Sequence, residues 1–193
     1  MDKNIEHYIF HKEHFLDEEY CKHCIKELDK NTWNKHEWYN NNTNASQSIQ
    51  QNEPDFIFQS LFSDKVAKIN EFIIQKLHPI LSEYIQYFKF NWFNDWEGYS
   101  SLKFIRYYPD QMMRKHCDHI HALFDGERKG IPILSIIGIL NDNYEGGELI
   151  MLEDKKIDTK QGDLLIFPSN FLYPHEITPI TKGARYSYIS WMW

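Results

Sequence analysis

The run Ala184-Arg185-Tyr186-Ser187-Tyr188-Ile189-Ser190-Trp191-Met192 is built from aromatic, β-branched and small polar side chains and contains neither Gly nor Pro. That is the composition of a strand. Alternation along an extended backbone puts Arg185, Ser187, Ile189 and Trp191 on one face and Tyr186, Tyr188, Ser190 and Met192 on the other. A guanidinium and a hydroxyl two residues apart can then grip one carboxylate from the same side. Working back towards the N-terminus, similar runs occur at about residues 90–93, 101–108, 131–140, 148–152 and 163–167. A tight connection, Asn141 to Gly147, and the turn pair Gln161-Gly162 separate some of them. Several short strands with no helical stretch between them point to an antiparallel sandwich or barrel.

Before residue 90 the apolar period is helical. Phe15, Leu16, Tyr20, Cys24 and Leu28 predict an amphipathic helix over residues 11–30. A second helix is predicted from an N-cap at Ser63 through Val66, Ile69, Ile73 and Leu77, with Pro79 kinking or interrupting it and Leu81, Tyr84, Ile85 and Phe88 continuing it. The polar, aperiodic residues 40–53 are expected to form a loop. The chain is therefore expected to be α+β and one domain over residues 1–193. Residues 1–89 supply mainly helical support and the polar loop, and residues 90–193 supply the β core. There is no internal repeat.

At 193 residues, 42% of them hydrophobic, the chain can bury one sizeable core. A formal charge of −7 without a Lys/Arg cluster argues against a nucleic-acid partner and leaves proteins or small molecules. Three cysteines, Cys21, Cys24 and Cys117, do not make a secreted disulfide framework. Cys21-x-x-Cys24 has no second ligand pair at finger-like spacing, so the helix face accounts for it better than zinc. No apolar run approaches the ~18–20 residues of a membrane span, and the N-terminus has no signal-like apolar core. A cytoplasmic, reducing location is the expectation, while oligomeric state leaves no mark in the sequence.

His116-x-Asp118 lies just beyond the predicted strand ending near Tyr108, and side chains two apart on extended backbone point the same way. His175, in Tyr173-Pro174-His175, can supply a third ligand from a strand edge. Two imidazoles and one carboxylate on one face of an octahedron suit non-haem Fe(II) and leave three positions open. Zinc is the alternative metal. His119 and His121 compete as ligands, but on extended backbone they face away from Asp118. Arg185, ten positions after His175, favours the metal reading because it adds an anion anchor beside the triad.

In order along the chain stand Tyr107-Tyr108-Pro109, His116-x-Asp118, Tyr144-Glu145-Gly146-Gly147-Glu148-Leu149, Gly162-Asp163-Leu164-Leu165-Ile166-Phe167-Pro168, Pro174-His175-Glu176-Ile177 and Gly183-x-Arg185-x-Ser187. From about Leu102 to Trp193 this ordered set resembles the prolyl-4-hydroxylase-like branch of the 2-oxoglutarate/iron(II) dioxygenases. The resemblance implies a double-stranded β-helix, or jelly roll, with N-terminal helices supporting its larger sheet. It implies that His116, Asp118 and His175 hold Fe(II), and that Arg185 pairs with the distal carboxylate of 2-oxoglutarate. Ser187 and Tyr108 match residues that assist that cosubstrate. Dioxygen is the second cosubstrate, and ascorbate is a candidate accessory. The chain departs from many prolyl hydroxylases, which use Lys where Arg185 stands, so the cosubstrate is better marked than the substrate.

The implied activity is hydroxylation of a C–H bond coupled to decarboxylation of 2-oxoglutarate to succinate. An intact Asp118 favours hydroxylation over the halogenation of related enzymes. A peptidyl proline leads as substrate, followed by another peptide side chain or a free amino acid. Nucleic-acid demethylases of the superfamily carry a second arginine six positions after the first, where this chain has Trp191. A non-catalytic cupin-like metal-binding module needs no 2-oxoglutarate anchor, so Arg185, Ser187 and Tyr108 argue against it. Arg106 and Trp191 remain as candidates for lining the substrate pocket, and residues 40–53 and 125–130 as lids.

Overall fold

The structure, a computed structural model, describes residues 4–40, 45–48, 58–60, 63–89, 98–118 and 132–193. After a 3-10 turn at Ile5–Tyr8, the N-terminal part runs β1 (Phe10–Lys12), α1 (Glu18–Leu28), β2 (Trp33–Lys35), β3 (Glu37–Asn40), β4 (Ala45–Ser48), β5 (Phe58–Ser60) and α2 (Asp64–Tyr87). Then follow β6 (Lys103–Tyr107), β7 (Met113–His116), β8 (Leu134–Ile139), β9 (Glu145–Gly146), β10 (Leu149–Met151), β11 (Lys155–Ile157), β12 (Leu164–Pro168), β13 (His175–Ile177), β14 (Ile180–Lys182) and β15 (Arg185–Met192).

A larger sheet in the order β1-β12-β8-β15-β6-β5-β2 faces a smaller one in the order β11-β10-β13-β7. Neighbouring strands pair antiparallel throughout, so the architecture is a jelly roll backed by helices. The pleat explains why β8 and β12 read as continuous apolar runs. Ile136, Leu164 and Ile166 pack outward against the helices, while Ile137, Leu165 and Phe167 pack inward against the smaller sheet. Each fully buried Ile or Leu contributes about 1.5–3 kcal/mol, so both faces of the larger sheet hold the layers together.

Both helices turn a stripe onto the larger sheet. Asp17 caps α1 by accepting from the Tyr20 amide at 2.7 Å, and Cys21, Cys24 and Leu28 form its buried face. Ser63 caps α2 through the Val66 amide at 3.3 Å, and Val66, Ile69, Ile73, Leu77, Leu81 and Tyr84 are buried along it. Among the described residues no helix is long and apolar enough to cross a membrane.

The first helix is shorter than its apolar spacing suggests. Residues 10–12 instead form β1, pairing Phe10 with Ile166 at the sheet edge, and the Asp17 cap fixes the helix start. Pro79 does not interrupt α2, which runs from Asp64 to Tyr87. Pro79 removes the partner of the Gln75 carbonyl, but both residues lie on the exposed face, where water can take its place. Within the polar 40–53 stretch, β4 pairs with β3 from Glu37↔Ser48 to Asn40↔Ala45. Backbone pairing of this kind needs no apolar side chain, so hydrophobic periodicity is blind to it. The N-terminal part also gives β1, β2 and β5 to the larger sheet, so it supplies more than helical support. The predicted strand at 90–93, the candidate lid at 125–130, His119, His121 and the remainder of 40–53 lie outside the described residues.

Gly146 shows why the Gly146-Gly147 pair is needed between β9 and β10. It has φ +75°, and a Cβ there would stand 2.2 Å from the Pro179 carbonyl oxygen.

Candidate metal and anion site

His116 ends β7 and His175 begins β13, and the two are direct partners in the ladder of the smaller sheet. Opposed residues in an antiparallel pair project to the same face, and the two imidazole centroids lie 4.4 Å apart. Asp118, two residues beyond His116, brings its Oδ1 to 3.7 Å from His116 Nε2 and 3.8 Å from His175 Nε2. One ligand atom from each of the three residues lies within 4.8 Å of the others, the only such group among the described residues.

The tautomers suit ligation. His116 Nδ1 donates to the Arg114 carbonyl at 2.8 Å and His175 Nδ1 to the Tyr173 carbonyl at 3.2 Å. With the proton held on Nδ1, each Nε2 turns its lone pair towards the shared centre. Burial pushes the Asp118 carboxyl up, but the His175 and His116 imidazoles, the Ser135 hydrogen bond and the nearby Trp191 side chain outweigh it and hold it below the ordinary carboxylate range.

The triad opens into a cavity of about 410 Å³ of empty space, partly open to solvent, between the two sheets. Ile105, Ile137, Ile177 and Ile189 give it apolar walls, and Arg185 and Ser187 also line it. Arg185 is 1% exposed. Its Nη1 donates to Ser187 Oγ at 2.8 Å, whereas its Nε and Nη2 are buried with no hydrogen-bond partner among the described residues. The guanidinium carbon lies 5.3 Å from the Tyr107 ring centroid. A buried cation with two unused donors costs several kcal/mol unless an anion joins it. The residues therefore fit a divalent metal at one end of the cavity and a ligand carboxylate at the other. A dicarboxylic 2-oxo acid has both functions in one molecule.

His116, Asp118, His175, Arg185 and Ser187 are thus brought to one cavity, while other candidates are placed elsewhere. Tyr108, expected beside the cosubstrate, is 37% exposed and packs against Arg106, whose guanidinium is 4.8 Å from its ring. Adjacent strand residues face opposite ways, so Tyr107 takes the cavity side. Arg106 leaves the pocket for the same reason. It stacks 4.3 Å from the Trp33 ring centroid and pairs with Asp29 at 3.4 Å. Trp191, expected to line the substrate pocket, is not among the residues lining this cavity and instead lies by the Asp118 carboxylate, whose charged form it favours. The sequence singles out neither Tyr107, which lines the cavity, nor Ser135, which bonds Asp118. A serine inside the apolar run Leu134-Ser135-Ile136-Ile137 is the signal that could have found the second. Cys21 and Cys24 face the core, where burial pushes each thiol up to about 12, and among the described residues they join no group of metal-ligand type.

Residues 102–193 match the 2OG-Fe(II) oxygenase superfamily. A PKHD-type hydroxylase from Idiomarina loihiensis is 35% identical over 91 residues, covering 45% of this chain and 39% of the relative. The chain thus spans about two-fifths of the length of that curated relative. A prolyl-4-hydroxylase from Pseudomonas putida superposes with a TM-score of 0.69 at 18% identity, covering 95% of this chain and 91% of the other. A Trichoplax adhaerens prolyl hydroxylase, solved with a hypoxia-inducible-factor oxygen-degradation-domain peptide, gives 0.69 at 18% identity, covering 96% of this chain and 83% of the other. At those identities the solved structures establish the jelly-roll fold.

Proposed function

We propose, from the match of residues 102–193 to the 2OG-Fe(II) oxygenase superfamily, that the protein is a 2-oxoglutarate- and Fe(II)-dependent dioxygenase that hydroxylates a proline in a peptide. The observation that carries the proposal is the buried Arg185, with two unused donors, in the same cavity as the His116, Asp118 and His175 ligand atoms. A bare metal-binding barrel has no use for that cation. When bound, iron supplies the redox chemistry that couples decarboxylation of 2-oxoglutarate to succinate with transfer of one oxygen atom from dioxygen into a substrate C–H bond.

The chain's own residues hold and orient. His116, Asp118 and His175 are the metal ligands, each imidazole aimed by its Nδ1 hydrogen bond to a backbone carbonyl. Arg185, steadied by Ser187, receives the distal carboxylate, which adds the missing anion and fixes the direction of the cosubstrate. Tyr107 replaces Tyr108 as the tyrosine beside that carboxylate. Ile105, Ile137, Ile177 and Ile189 exclude water around it.

A peptide substrate is supported by the Trichoplax relative solved with its peptide and by the hydroxylase names of the sequence relatives. We place the protein in the cytoplasm as a single domain, with ascorbate as the reductant that keeps iron ferrous; its described cysteines are all free thiols. Incubation of pools of proline-containing peptides with Fe(II), ascorbate and 2-oxoglutarate, read by mass spectrometry, should give a gain of one oxygen on proline. Oxygen on another side chain would move the substrate to the runner-up class, and demethylation of a methylated oligonucleotide with no peptide product would overturn the peptide assignment.

A further inference from the structure

Asp118 stands two residues past the end of β7, so no ladder orients it as the ladder orients His116 and His175. Its carboxylate has two equivalent oxygens and must be fixed by neighbouring side chains. Ser135 donates to Oδ2 at 2.5 Å. Oδ1 is the oxygen that approaches both imidazole Nε2 atoms. Ser135 is 1% exposed and shares a hydrogen bond with Ser169, itself 3% exposed. The Trp191 side chain also stands close enough to the carboxylate to favour its charged form.

The sheet makes these side chains converge. Ser135 on β8 and Trp191 on β15 are direct cross-strand partners, and Phe167, two residues before Ser169, pairs with Ser135 from the other side. All three side chains therefore emerge on the inner face of the larger sheet. A hydroxyl in this apolar strand costs free energy unless it is satisfied, and packing alone would be served by alanine. Trp191 also shares its strand with Arg185 and Ser187, so one rigid element braces both ends of the site.

We infer that Ser135 and Trp191 are positioning residues that hold the Asp118 carboxylate with Oδ1 turned to the two imidazoles, with Ser169 bracing Ser135. Asp118 would then offer a bound metal one oxygen while the other stays engaged with Ser135. The inference rests on the proposed dioxygenase reading.

The test is anaerobic titration of the full chain with Mn(II) by calorimetry and with Co(II) by visible absorption. Loss of an orienting partner typically costs 10–100-fold in metal affinity, so Ser135→Ala and Trp191→Phe should each weaken Mn(II) binding by about that factor. The Co(II) spectrum of Ser135→Ala should shift as the freed carboxylate turns. Ser135→Thr keeps the hydroxyl and should recover most of the affinity and the parental spectrum, which a merely structural role for the serine would not require. Circular dichroism and metal-free melting establish that each variant is folded, and Trp191→Phe carries the test if Ser135→Ala is not. Parental Mn(II) affinity and Co(II) spectra in the folded variants would overturn the positioning role. A parent that turns over 2-oxoglutarate while the variants stay insensitive overturns that role alone, whereas a parent that binds no metal overturns it together with the dioxygenase reading.

Discussion

Replacing Arg185 by Met keeps most of the side-chain volume and removes the charge. In the metal-free, ligand-free protein Arg185 is 1% exposed with Nε and Nη2 unpaired, so the substitution removes an uncompensated buried cation. Exchanging buried charge for apolar bulk is often neutral or stabilising, and the unliganded variant should melt at or above the parental temperature. With 2-oxoglutarate the order reverses. Truncating one partner of a buried charge pair costs ~2–5 kcal/mol, and at ~1.4 kcal/mol per tenfold that is roughly thirtyfold to several thousandfold in affinity. Linkage gives a second readout. At a ligand concentration about 100 times the parental dissociation constant, the parent gains ~2.7 kcal/mol of stability, while a thirtyfold weaker variant gains under ~1 kcal/mol. Calorimetry under anaerobic conditions with inert Mn(II) measures the affinity without relying on KM, and thermal melts measure the linkage. Mn(II) affinity should not change, because Arg185 is not a ligand. Unchanged 2-oxoglutarate affinity in a folded Arg185→Met protein would refute the anchor.

Two further outcomes follow from the placement of side chains. Tyr107→Phe should weaken 2-oxoglutarate binding by the net worth of one hydrogen bond, ~0.5–1.5 kcal/mol, while Tyr108→Phe should leave it unchanged because Tyr108 lies outside the cavity; the reverse pattern in calorimetry would restore the sequence-based choice. Burial holds the Cys21 and Cys24 thiols near 12, so each stays protonated, and the nucleophilic thiolate is absent, at any pH well below that value. Native protein treated with iodoacetamide at pH 8 and mapped by mass spectrometry should carry label on the half-exposed Cys117 ahead of either helix cysteine, and equal labelling would contradict the packing of α1.

The parts of the fold that could be read from the sequence are those where burial writes a pattern. β8, β12 and β15 are covered on both faces and appear as unbroken apolar or aromatic runs, and the pleat of β15 alone placed Arg185 and Ser187 together. The strands carrying the two candidate histidine ligands are harder to read, because β7 and β13 span only Met113–His116 and His175–Ile177 and mix buried residues with less buried ones. β1, β2 and β5 are three residues each and join the sheet through backbone pairing, which leaves no apolar signature. Tyr107 rather than Tyr108 turns to the cavity, a difference of single-residue register, where a slip of one position inverts the face. Arg106 followed the same register outward. Trp191 shares the inner face with Ser135, its cross-strand partner, but its approach to Asp118 depends on a tertiary meeting of β15 with the residues after β7, which no local pattern encodes.

The central claim is that this cavity joins an iron-binding triad to a 2-oxoglutarate anchor. Its most direct measurement is turnover of 2-oxoglutarate under ¹⁸O₂ with Fe(II) and ascorbate, in the parent and in His116→Ala, Asp118→Ala and His175→Ala. The parent should release succinate carrying one labelled oxygen, and each folded variant should release none. Unlabelled succinate from the parent, or labelled succinate in equal amount from all three variants, would contradict the account.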